Sequence, residues 1–387
     1  MYKLLTLNKI AQIGLGELDT SKFTHGDALE NPDGVILRSA SMHDMDFGDN
    51  LLAIARAGAG VNNIPIEKCS SSGIVVFNTP GANANAVKEL AIAALFMSSR
   101  NITGGVEWAK TLVDAGDDVP KLVEKGKSEF TGPEIKGKTI GVVGLGAIGV
   151  MVANAAYHLG MKVIGFDPFI SVDAAWGLSR FVSKAVSIDD ICAQSDYITL
   201  HLPLNDNTKA MINDDVISKL KTGVRILNFS RGELVDNSAI TAALEQGKIA
   251  AYVTDFPNKE LIGKKGVIPI PHLGASTPES EDNCAVMACR EISDYLLNGN
   301  ISNSVNLPNV NLARNGVMRI CVIHKNIPNM LSNISSCCGA KNVNIENMLN
   351  KSKKEYAYTV IDACSIDESI AKEIEAIEGV IRARIII

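Results

Sequence analysis

The sequence predicts an α/β protein with two doubly wound parallel-sheet domains, one inserted into the other, and a C-terminal ferredoxin-like βαββαβ domain. Three observations support this fold class. Short apolar runs alternate with helix-compatible segments along residues 3–78, and the alternation restarts with longer apolar runs at residue 139. Residues 316–387 instead follow the order strand, helix, strand, strand, helix, strand. The length of 387 residues exceeds what one hydrophobic core usually serves, so several domains are expected.

The first domain is predicted to be discontinuous, over residues 1–99 and 278–305. Its N-terminal part has predicted strands at residues 3–7, 34–39, 51–57 and 73–78. Residues 84–100 are rich in Ala, Leu, Ile and Met and contain no Gly or Pro, which predicts a long and largely buried helix that leads out of this domain. A helix over residues 279–297 returns to it, and a turn-rich linker follows at residues 303–308.

The second domain is predicted over residues 100–277, and its apolar runs are long enough for a sheet that is covered on both faces. Its predicted strands lie at residues 139–143, 162–166, 197–202, 225–229, 251–254 and 267–270. The C-terminal domain is predicted over residues 316–387. Its predicted strands lie at residues 317–323, 343–348, 356–362 and 380–387, and its predicted helices at residues 328–337 and 367–376.

The composition narrows the classes of function. The 37 basic and 43 acidic side chains give a net charge of −6 without long runs of one sign, which disfavours nucleic acid as a partner. The first apolar run is too short for a signal peptide, and no run reaches the roughly 18 residues of a membrane helix, so we expect a cytoplasmic protein without a membrane partner. The eight cysteines form no C-x-x-C pair, so neither a metal site nor a disulfide framework is predicted.

The second domain opens with a dinucleotide-binding pattern of the Rossmann type. An apolar strand runs into Gly144-x-Gly146-x-x-Gly149, whose glycines allow a tight turn, close approach of a pyrophosphate, and close packing of the helix on the strand. Asp167 ends the next predicted strand, where a carboxylate can accept hydrogen bonds from ribose hydroxyls and would repel a 2′-phosphate. The pattern therefore predicts NAD rather than NADP. Asp167 alone could also be an ordinary turn residue, and a second glycine pair, at residues 14–16, lacks the third glycine.

Three residues near predicted strand ends of the same sheet suit redox chemistry on a hydroxy acid: Arg231, Glu260 and His272. An arginine binds a carboxylate with two parallel hydrogen bonds, a histidine passes a proton near neutral pH, and a glutamate can orient the imidazole. Each also has a simpler explanation, as a turn residue, a solvated loop charge or a structural histidine. His201, before Pro203, competes with His272 as the histidine of the cleft.

Several long motifs make the chain resemble the D-isomer-specific 2-hydroxyacid dehydrogenases. They lie at residues 56–64, 78–85, 141–149, 165–168, 228–236 and 271–277. The resemblance implies NAD-dependent oxidation of D-3-phosphoglycerate to 3-phosphohydroxypyruvate, the first step of L-serine biosynthesis. Alternatives are another enzyme of the family, such as a glyoxylate or hydroxypyruvate reductase, and a non-catalytic NAD-sensing protein.

The resemblance also implies individual roles. Arg231 would anchor the substrate, His272 would be the general acid or base, ahead of His201, and Glu260 would orient His272. NAD would be lined by Gly144, Gly146, Ala147, Ile148, Gly149, Asp167, Phe229, Ser230, Arg231, Asp255, His272, Gly274 and Ala275. The substrate side would carry Arg38, Ser39, Gly58, Gly60 and Val61, with Arg38 as the phosphate contact, although Arg38 could simply end a strand.

The C-terminal domain resembles an ACT domain, a small module that often binds amino acids. The resemblance implies an L-serine effector site at His324, Asn326 and Asn344, shared between two such domains, and a homodimer or homotetramer. The sequence departs from the pattern at Pro328-Asn329, where Pro-Gly is expected, but asparagine tolerates left-handed backbone geometry better than most residues. A purely structural, dimerising module is the alternative.

Overall fold

The computed structural model describes residues 1–314, 318–364, 367 and 369–387. The chain forms two compact units. The first unit comprises Met1–Asn83 with Pro278–Ile387, and the second unit comprises Ala84–Thr277. In the described part of the chain, no helix is long and apolar enough to cross a membrane.

The N-terminal part of the first unit is a parallel five-stranded sheet in the order β2-β1-β3-β4-β5. Its elements are β1 (Tyr2–Leu7), α1 (Gln12–Leu15), β2 (Phe23–Gly26), β3 (Gly34–Leu37), β4 (Ala53–Arg56), α2 (Ile66–Ser71) and β5 (Val75–Asn78). The predicted strands are confirmed, and the edge strand β2 was not predicted. The glycine pair at residues 14–16 serves packing, because a Cβ on Gly14 would lie 2.5 Å from the backbone of Ala285.

The second unit is a doubly wound domain with seven strands in the order β12-β11-β10-β9-β6-β7-β8. Its strands are β6 (Thr139–Val143), β7 (Lys162–Phe166), β8 (Ser183–Lys184), β9 (Tyr197–Leu200), β10 (Val224–Asn228), β11 (Ile249–Thr254) and β12 (Val267–Pro269). Its helices are α3 (Ala84–Ser99), α4 (Ile102–Lys110), α5 (Val119–Gly126), α6 (Ala147–His158), α7 (Val172–Gly177), α8 (Ile188–Gln194), α9 (Asp214–Lys219) and α10 (Asn237–Glu245). The strand order changes direction beside β6, so the glycine motif lies where such sheets bind ligands.

The long helix α3 belongs to the second unit, although the sequence analysis assigned residues 84–99 to the first domain. It packs against α6, β10 and β11. Its buried side chains, which include Val87, Ala91 and Leu95, share a core cluster with Val142 and Leu227 of the sheet. The unit boundary therefore lies before the helix, at residues 83–84, because its apolar face is completed by the second sheet.

The C-terminal part of the first unit begins with α11 (Pro278–Asn298) and ends in a ferredoxin-like domain. That domain comprises β13 (Met318–Lys325), α12 (Met330–Ala340), β14 (Ile345–Lys353), β15 (Tyr356–Ala363), α13 (Ser369–Glu375) and β16 (Val380–Ile386). Its antiparallel sheet has the order β14-β15-β13-β16, which confirms the predicted fold class. Residue 316, the predicted start of the domain, Val317, the predicted start of the strand, and Glu368 in the predicted last helix lie outside the described residues.

The C-terminal sheet is covered on both faces. One face packs with α12 and α13 through residues such as Val322, Ile334 and Ile374. The other face contributes Cys321 and Tyr358 to the cluster that contains Phe77, Tyr295 and Leu296 of the rest of the unit. The C-terminal domain and the five-stranded domain therefore share one hydrophobic core.

Two arginines, the buried Arg319 and the half-buried Arg384, join the C-terminal sheet to the end of α11. Arg384 donates hydrogen bonds to the carbonyls of Tyr295 and Leu296, and its guanidinium lies 4.2 Å from the centre of the Tyr295 ring. Arg319 donates to the carbonyl of Asn298 at 2.7 Å. The last carbonyls of a helix have no partner within the helix, so these arginines satisfy and stabilise the end of α11.

Candidate active site

The glycine turn between β6 and α6 has the shape that a pyrophosphate requires. Gly144 has φ +90°, and a Cβ there would lie 2.4 Å from the carbonyl oxygen of His201. A Cβ on Gly149 would lie 1.9 Å from the carbonyl oxygen of Gly144, whereas the Cα of Gly146 faces open space. Gly146 caps α6 without a side-chain hydrogen bond, so the first amides of this 12-residue helix can face a phosphate. The turn fits a dinucleotide.

Asp167 is held at this turn by the backbone. Its Oδ2 accepts a hydrogen bond from the amide of Leu145 at 2.8 Å, and its Oδ1 accepts one from the amide of Phe169 at 2.8 Å. The carboxylate thus has a fixed position at the end of β7, beside the glycine turn. Each oxygen keeps a lone pair that can accept from a ribose hydroxyl. This geometry is compatible with the predicted role of Asp167 in NAD binding, which stays a prediction.

His201 supports the turn from below. Its backbone amide donates to Val143, and its Nε2 lies 2.9 Å from the hydroxyl oxygen of Thr199. Burial lowers the pKa of His201 to about 4, because the charged imidazolium would lose its hydration. Its Nδ1 is buried and has no hydrogen-bond partner in the part of the chain that the structure describes. A histidine that stays neutral and packs under the turn is poorly suited to exchange protons with a substrate.

Arg231, Asp255 and His272 come together at the carboxyl end of the second sheet. Asp255 follows β11 and is only 2% exposed. Burial raises its pKa, while the charges of His272 and Arg231 and a backbone hydrogen bond from Gly274 act in the opposite direction. The carboxylate is therefore near enough to both side chains to be influenced by their charge. Among the described residues, its Oδ1 is buried and has no hydrogen-bond partner.

The imidazole of His272 is exposed, and one side of it is fixed by an aromatic ring. The rings of Phe256 and His272 meet edge to face, with centroids 4.9 Å apart. Phe256 is held in turn by its amide, which donates to Thr254 Oγ1 at 3.1 Å. Reach to solvent and a fixed orientation suit a group that must accept a proton from a bound molecule.

Arg231 is positioned by the strand end of β10. Asn228 donates from Nδ2 to the carbonyl of Arg231 at 2.9 Å, and Arg231 Nη1 donates to the carbonyl of Ser230 at 2.6 Å. Ser230 donates from Oγ to the carbonyl of Leu200 at 2.7 Å, which ties this segment to the neighbouring strand β9. Phe229 is buried beneath it at 7% exposure. The guanidinium itself is exposed and can reach a carboxylate.

Glu260 accepts a hydrogen bond from Asn237 Nδ2 at 2.9 Å, and its amide donates to Asn258 Oδ1. Among the described residues, no hydrogen bond joins Glu260 to His272 in this structure. The orienting role of Glu260 therefore stays a prediction. The charge of His272 instead acts on Asp255, which the sequence analysis had assigned only to NAD.

The residues predicted for the substrate side lie in the first unit, at the carboxyl ends of β3 and β4. Arg38 follows β3, and Arg56 ends β4, with Arg56 Nε donating to the carbonyl of Arg38 at 3.0 Å. A Cβ on Gly58 would lie 2.6 Å from Arg56 Nη1, so the glycine makes room for this second guanidinium. Arg56 was not among the predicted site residues. Its position at the end of the strand beside Arg38 was the available signal.

The turn after β4 offers backbone amides. The carbonyl of Gly58 accepts from the amide of Thr79, and that of Ala59 accepts from Asn78 Nδ2 at 2.6 Å. Within the described residues, the amides of Ala59, Gly60 and Val61 make no hydrogen bond. A turn with fixed carbonyls and free amides can bind a carboxylate. The amide of Ser39, by contrast, is already bonded to Asn8 Oδ1 at 3.0 Å.

Residues 92–276 match the family model described as D-isomer specific 2-hydroxyacid dehydrogenase, NAD binding domain. A D-3-phosphoglycerate dehydrogenase of Synechocystis sp. is 35% identical over 330 residues, which are 80% of this chain and 56% of that protein. Residues 92–276 of the chain belong to the D-isomer specific 2-hydroxyacid dehydrogenase family. The prediction of NAD as the cofactor is thereby confirmed, and the chain spans little more than half the length of the curated relatives it matches.

Solved members of the family share the fold. A 3-phosphoglycerate dehydrogenase of Entamoeba histolytica, solved with bound NAD+, is 28% identical with a TM-score of 0.61, and the match covers 79% of this chain and 98% of that one. A glyoxylate reductase from Paecilomyes thermophila is 25% identical with a TM-score of 0.63, over 79% of this chain and 98% of that one. Both kinds of enzyme considered in the sequence analysis are therefore among its structural relatives.

The predicted effector residues of the C-terminal domain have unequal access to solvent. His324 is 2% exposed, its Nδ1 lies 2.8 Å from the carbonyl of Lys325, and its Nε2 lies 2.9 Å from Thr359 Oγ1. Asn326 and Asn344 are exposed, although Asn326 Nδ2 donates to the carbonyl of Lys354. Asn329 has φ +67°, as expected for an asparagine in the place of glycine.

Proposed function

We propose that the protein is an NAD-dependent D-3-phosphoglycerate dehydrogenase, which oxidises D-3-phosphoglycerate to 3-phosphohydroxypyruvate in the first step of L-serine biosynthesis. The observation that carries the proposal is the cluster of Arg231, Asp255 and His272 in the unit that holds the NAD turn. These are an anion-binding group, a buried carboxylate and an accessible imidazole, which are the groups that oxidation of a hydroxy acid requires.

NAD, held at the turn of Gly144, Gly146 and Gly149, would supply the hydride acceptor for the carbon that bears the hydroxyl group. His272 accepts the hydroxyl proton at an imidazole nitrogen, and Phe256 restricts the orientations of the ring. A negative charge on Asp255 stabilises the imidazolium that results. Arg231 binds the substrate carboxylate and stabilises the negative charge that develops on the hydroxyl oxygen as its proton leaves. Glu260 is predicted to orient His272.

The proposed substrate class rests on backbone amides and arginines of the first unit. The amides of Ala59, Gly60 and Val61 would hold the carboxylate, and Arg38 with Arg56 would hold the phosphate. Two guanidinium groups at neighbouring strand ends offer more positive charge than a simple hydroxy acid needs. A glyoxylate or hydroxypyruvate reductase remains the second candidate, because a glyoxylate reductase is among the structural relatives.

Regulation by L-serine is part of the proposal. Asn326 and Asn344 are exposed and can contact an amino acid, whereas the buried His324 is better placed to hold the loop that carries Asn326. The site would be completed by a second copy of the chain in a homodimer or homotetramer. We also propose a cytoplasmic protein with neither a nucleic-acid nor a membrane partner, in keeping with its net charge of −6.

The test is a substrate panel with NAD. Initial rates of NADH formation are measured with D-3-phosphoglycerate, D-glycerate, D-lactate and D-2-hydroxyglutarate, and NADH consumption with glyoxylate and hydroxypyruvate, each with and without L-serine. We expect the highest kcat/KM with D-3-phosphoglycerate. A higher value with glyoxylate or hydroxypyruvate would replace the proposed function by the second candidate.

The role of His272 is tested by His272→Ala. General acid–base groups contribute about 10²–10⁴-fold to rates, so turnover should fall by that order while NAD binding, followed by fluorescence titration, is retained. His25→Ala removes an exposed histidine of strand β2 and serves as the control. Unchanged turnover in His272→Ala would show that another group moves the proton.

A further inference from the structure

Arg38 already has an anionic partner inside the first unit. Its Nη2 lies 2.7 Å from Oε1 of Glu281, which is in the first turn of α11. The two side chains are 39% and 44% exposed, so a solute can reach the pair. The carboxylate is favoured at this place because the amino end of a helix carries a partial positive charge. The residue proposed to bind the substrate phosphate is thus bound by a carboxylate of the protein.

A second guanidinium lies near this pair. Arg56 ends the strand beside Arg38, and α11 packs against both of these strands. The thiol of the buried Cys284, one turn after Glu281, is influenced by the charges of both Arg38 and Arg56. Two guanidinium groups therefore lie near the start of α11. A doubly charged phosphate matches the two cations better than one carboxylate does.

We infer that Glu281 competes with the anionic end of the substrate for Arg38 and thereby sets the preference between phosphorylated and unphosphorylated hydroxy acids. This inference rests on the proposed function. When the site is empty, Glu281 neutralises Arg38. A phosphate displaces the carboxylate and takes both guanidinium groups, whereas a substrate that ends in a hydroxyl leaves the pair intact and gains nothing from Arg38.

The pair is weak enough to be exchanged. Ion pairs at this degree of exposure are held loosely, because water screens the charges and both side chains lose rotational freedom in the pair. Once displaced, Glu281 can be solvated, since nearly half of its side chain is already accessible. A phosphorylated substrate must break the pair between Arg38 and Glu281 before it can bind Arg38. Its binding free energy is therefore less favourable by the free energy of that pair.

The experiment is steady-state kinetics of Glu281→Gln in the full chain with NAD. We expect the KM for D-3-phosphoglycerate to fall about two- to fivefold, which corresponds to roughly 0.4–1 kcal/mol. The KM for D-glycerate should not change, and kcat should change less than KM, because Glu281 contacts neither the reacting carbon nor NAD in this scheme. An unchanged or raised KM for D-3-phosphoglycerate would overturn the inference.

Two controls separate competition for Arg38 from a general charge effect. Glu279→Gln removes another carboxylate from the first turn of α11, and Glu17→Gln breaks a comparable pair on the same helix, in which Arg290 Nε lies 2.9 Å from Glu17 Oε2. Neither control should lower the KM for D-3-phosphoglycerate. A decrease in either control equal to that of Glu281→Gln would also overturn the inference, because it would assign the effect to net charge.

A binding measurement keeps this test distinct from that of the proposed function. Inorganic phosphate is titrated calorimetrically into the unmodified protein and into Glu281→Gln. If the unmodified protein does not oxidise D-3-phosphoglycerate, the proposed function fails. The calorimetry alone then decides whether Glu281 competes with phosphate for Arg38. Two- to fivefold tighter phosphate binding by the variant supports the competition, whereas equal or weaker binding overturns it.

Discussion

Replacing Asp362 by alanine should destabilise the protein severely, because it leaves a buried guanidinium without its counterion. Arg319 of β13 and Asp362 of β15 face each other in the C-terminal sheet and are 0% and 1% exposed. The pair is bidentate, with Nε to Oδ1 at 2.6 Å and Nη2 to Oδ2 at 2.9 Å. Removing one partner of such a pair costs about 3–5 kcal/mol, which is a large part of a typical stability of about 5–15 kcal/mol.

The matched control removes both charges. Arg319→Met with Asp362→Leu leaves no buried ion, and such replacements are often neutral or stabilising. Here the double variant also loses the hydrogen bond to the carbonyl of Asn298, and an unsatisfied buried carbonyl costs about 1–3 kcal/mol. The structure therefore predicts that Asp362→Ala is less stable than the double variant.

The assay is equilibrium urea unfolding of the full chain, followed by circular dichroism. Retained NAD binding, measured in parallel without urea, would indicate that the second unit is still folded. Because two units can unfold separately, the transition that changes on mutation is the one to compare. A loss of less than about 1 kcal/mol in Asp362→Ala, or a loss no larger than that of the double variant, would refute the assignment of this pair as a buried ion pair.

Two further predictions concern the NAD turn and a buried carboxylate. Gly149→Ala should abolish NAD binding in a fluorescence titration, because its Cβ would lie 1.9 Å from the carbonyl oxygen of Gly144. In the control Gly146→Ala, the added Cβ meets no described atom of the chain, so NAD binding should weaken only through contact with the ligand itself. Equal NAD binding by Gly149→Ala and the unmodified protein would contradict this geometry. Burial raises the pKa of Glu291 from 4.5 to about 8, against the effect of a hydrogen bond from Asn303. The folded protein therefore keeps a proton that the unfolded chain releases between these pH values, and its stability should fall as pH rises through this window. Glu291→Gln should remove roughly 2–4 kcal/mol of this decline between pH 5 and pH 8 in urea unfolding, and an identical decline in both proteins would show that Glu291 is ionised in the folded state.

The features that depend on local sequence were predictable. The NAD turn could be recognised because its three glycines and Asp167 lie within one strand-helix-strand segment, and each has a separate steric or hydrogen-bonding task. The buried strands of the second unit were also predictable from local sequence, because each is a continuous apolar run. The edge strand β2 was not predicted, because its four residues include a histidine and a glycine and only one of them is buried.

The features that depend on distant contacts were not predictable. Nothing local to Glu281 indicates that it pairs with Arg38, which lies 243 residues earlier and meets it only because α11 packs on β3 and β4. The electrostatic influence of His272 on Asp255 likewise depends on the pairing of β11 with β12, which brings the chain segments after these strands to the same edge of the sheet. The roles assigned to the site residues by resemblance, including that of Glu260, stay predictions.

Because the C-terminal domain and the five-stranded domain share one hydrophobic core, the point of fusion matters when domains are exchanged between enzymes of this family. The buried face of the C-terminal sheet is matched to Tyr295 and Leu296, and its arginines satisfy the last carbonyls of α11. A chimera joined within residues 303–314 would transplant the sheet without the surface it fits. A junction placed before α11 would carry both halves of that fit, although it would also carry Glu281 and with it the occupant of Arg38. In this protein, the carbonyls that anchor the C-terminal domain and the carboxylate that pairs with Arg38 lie on the same helix, α11.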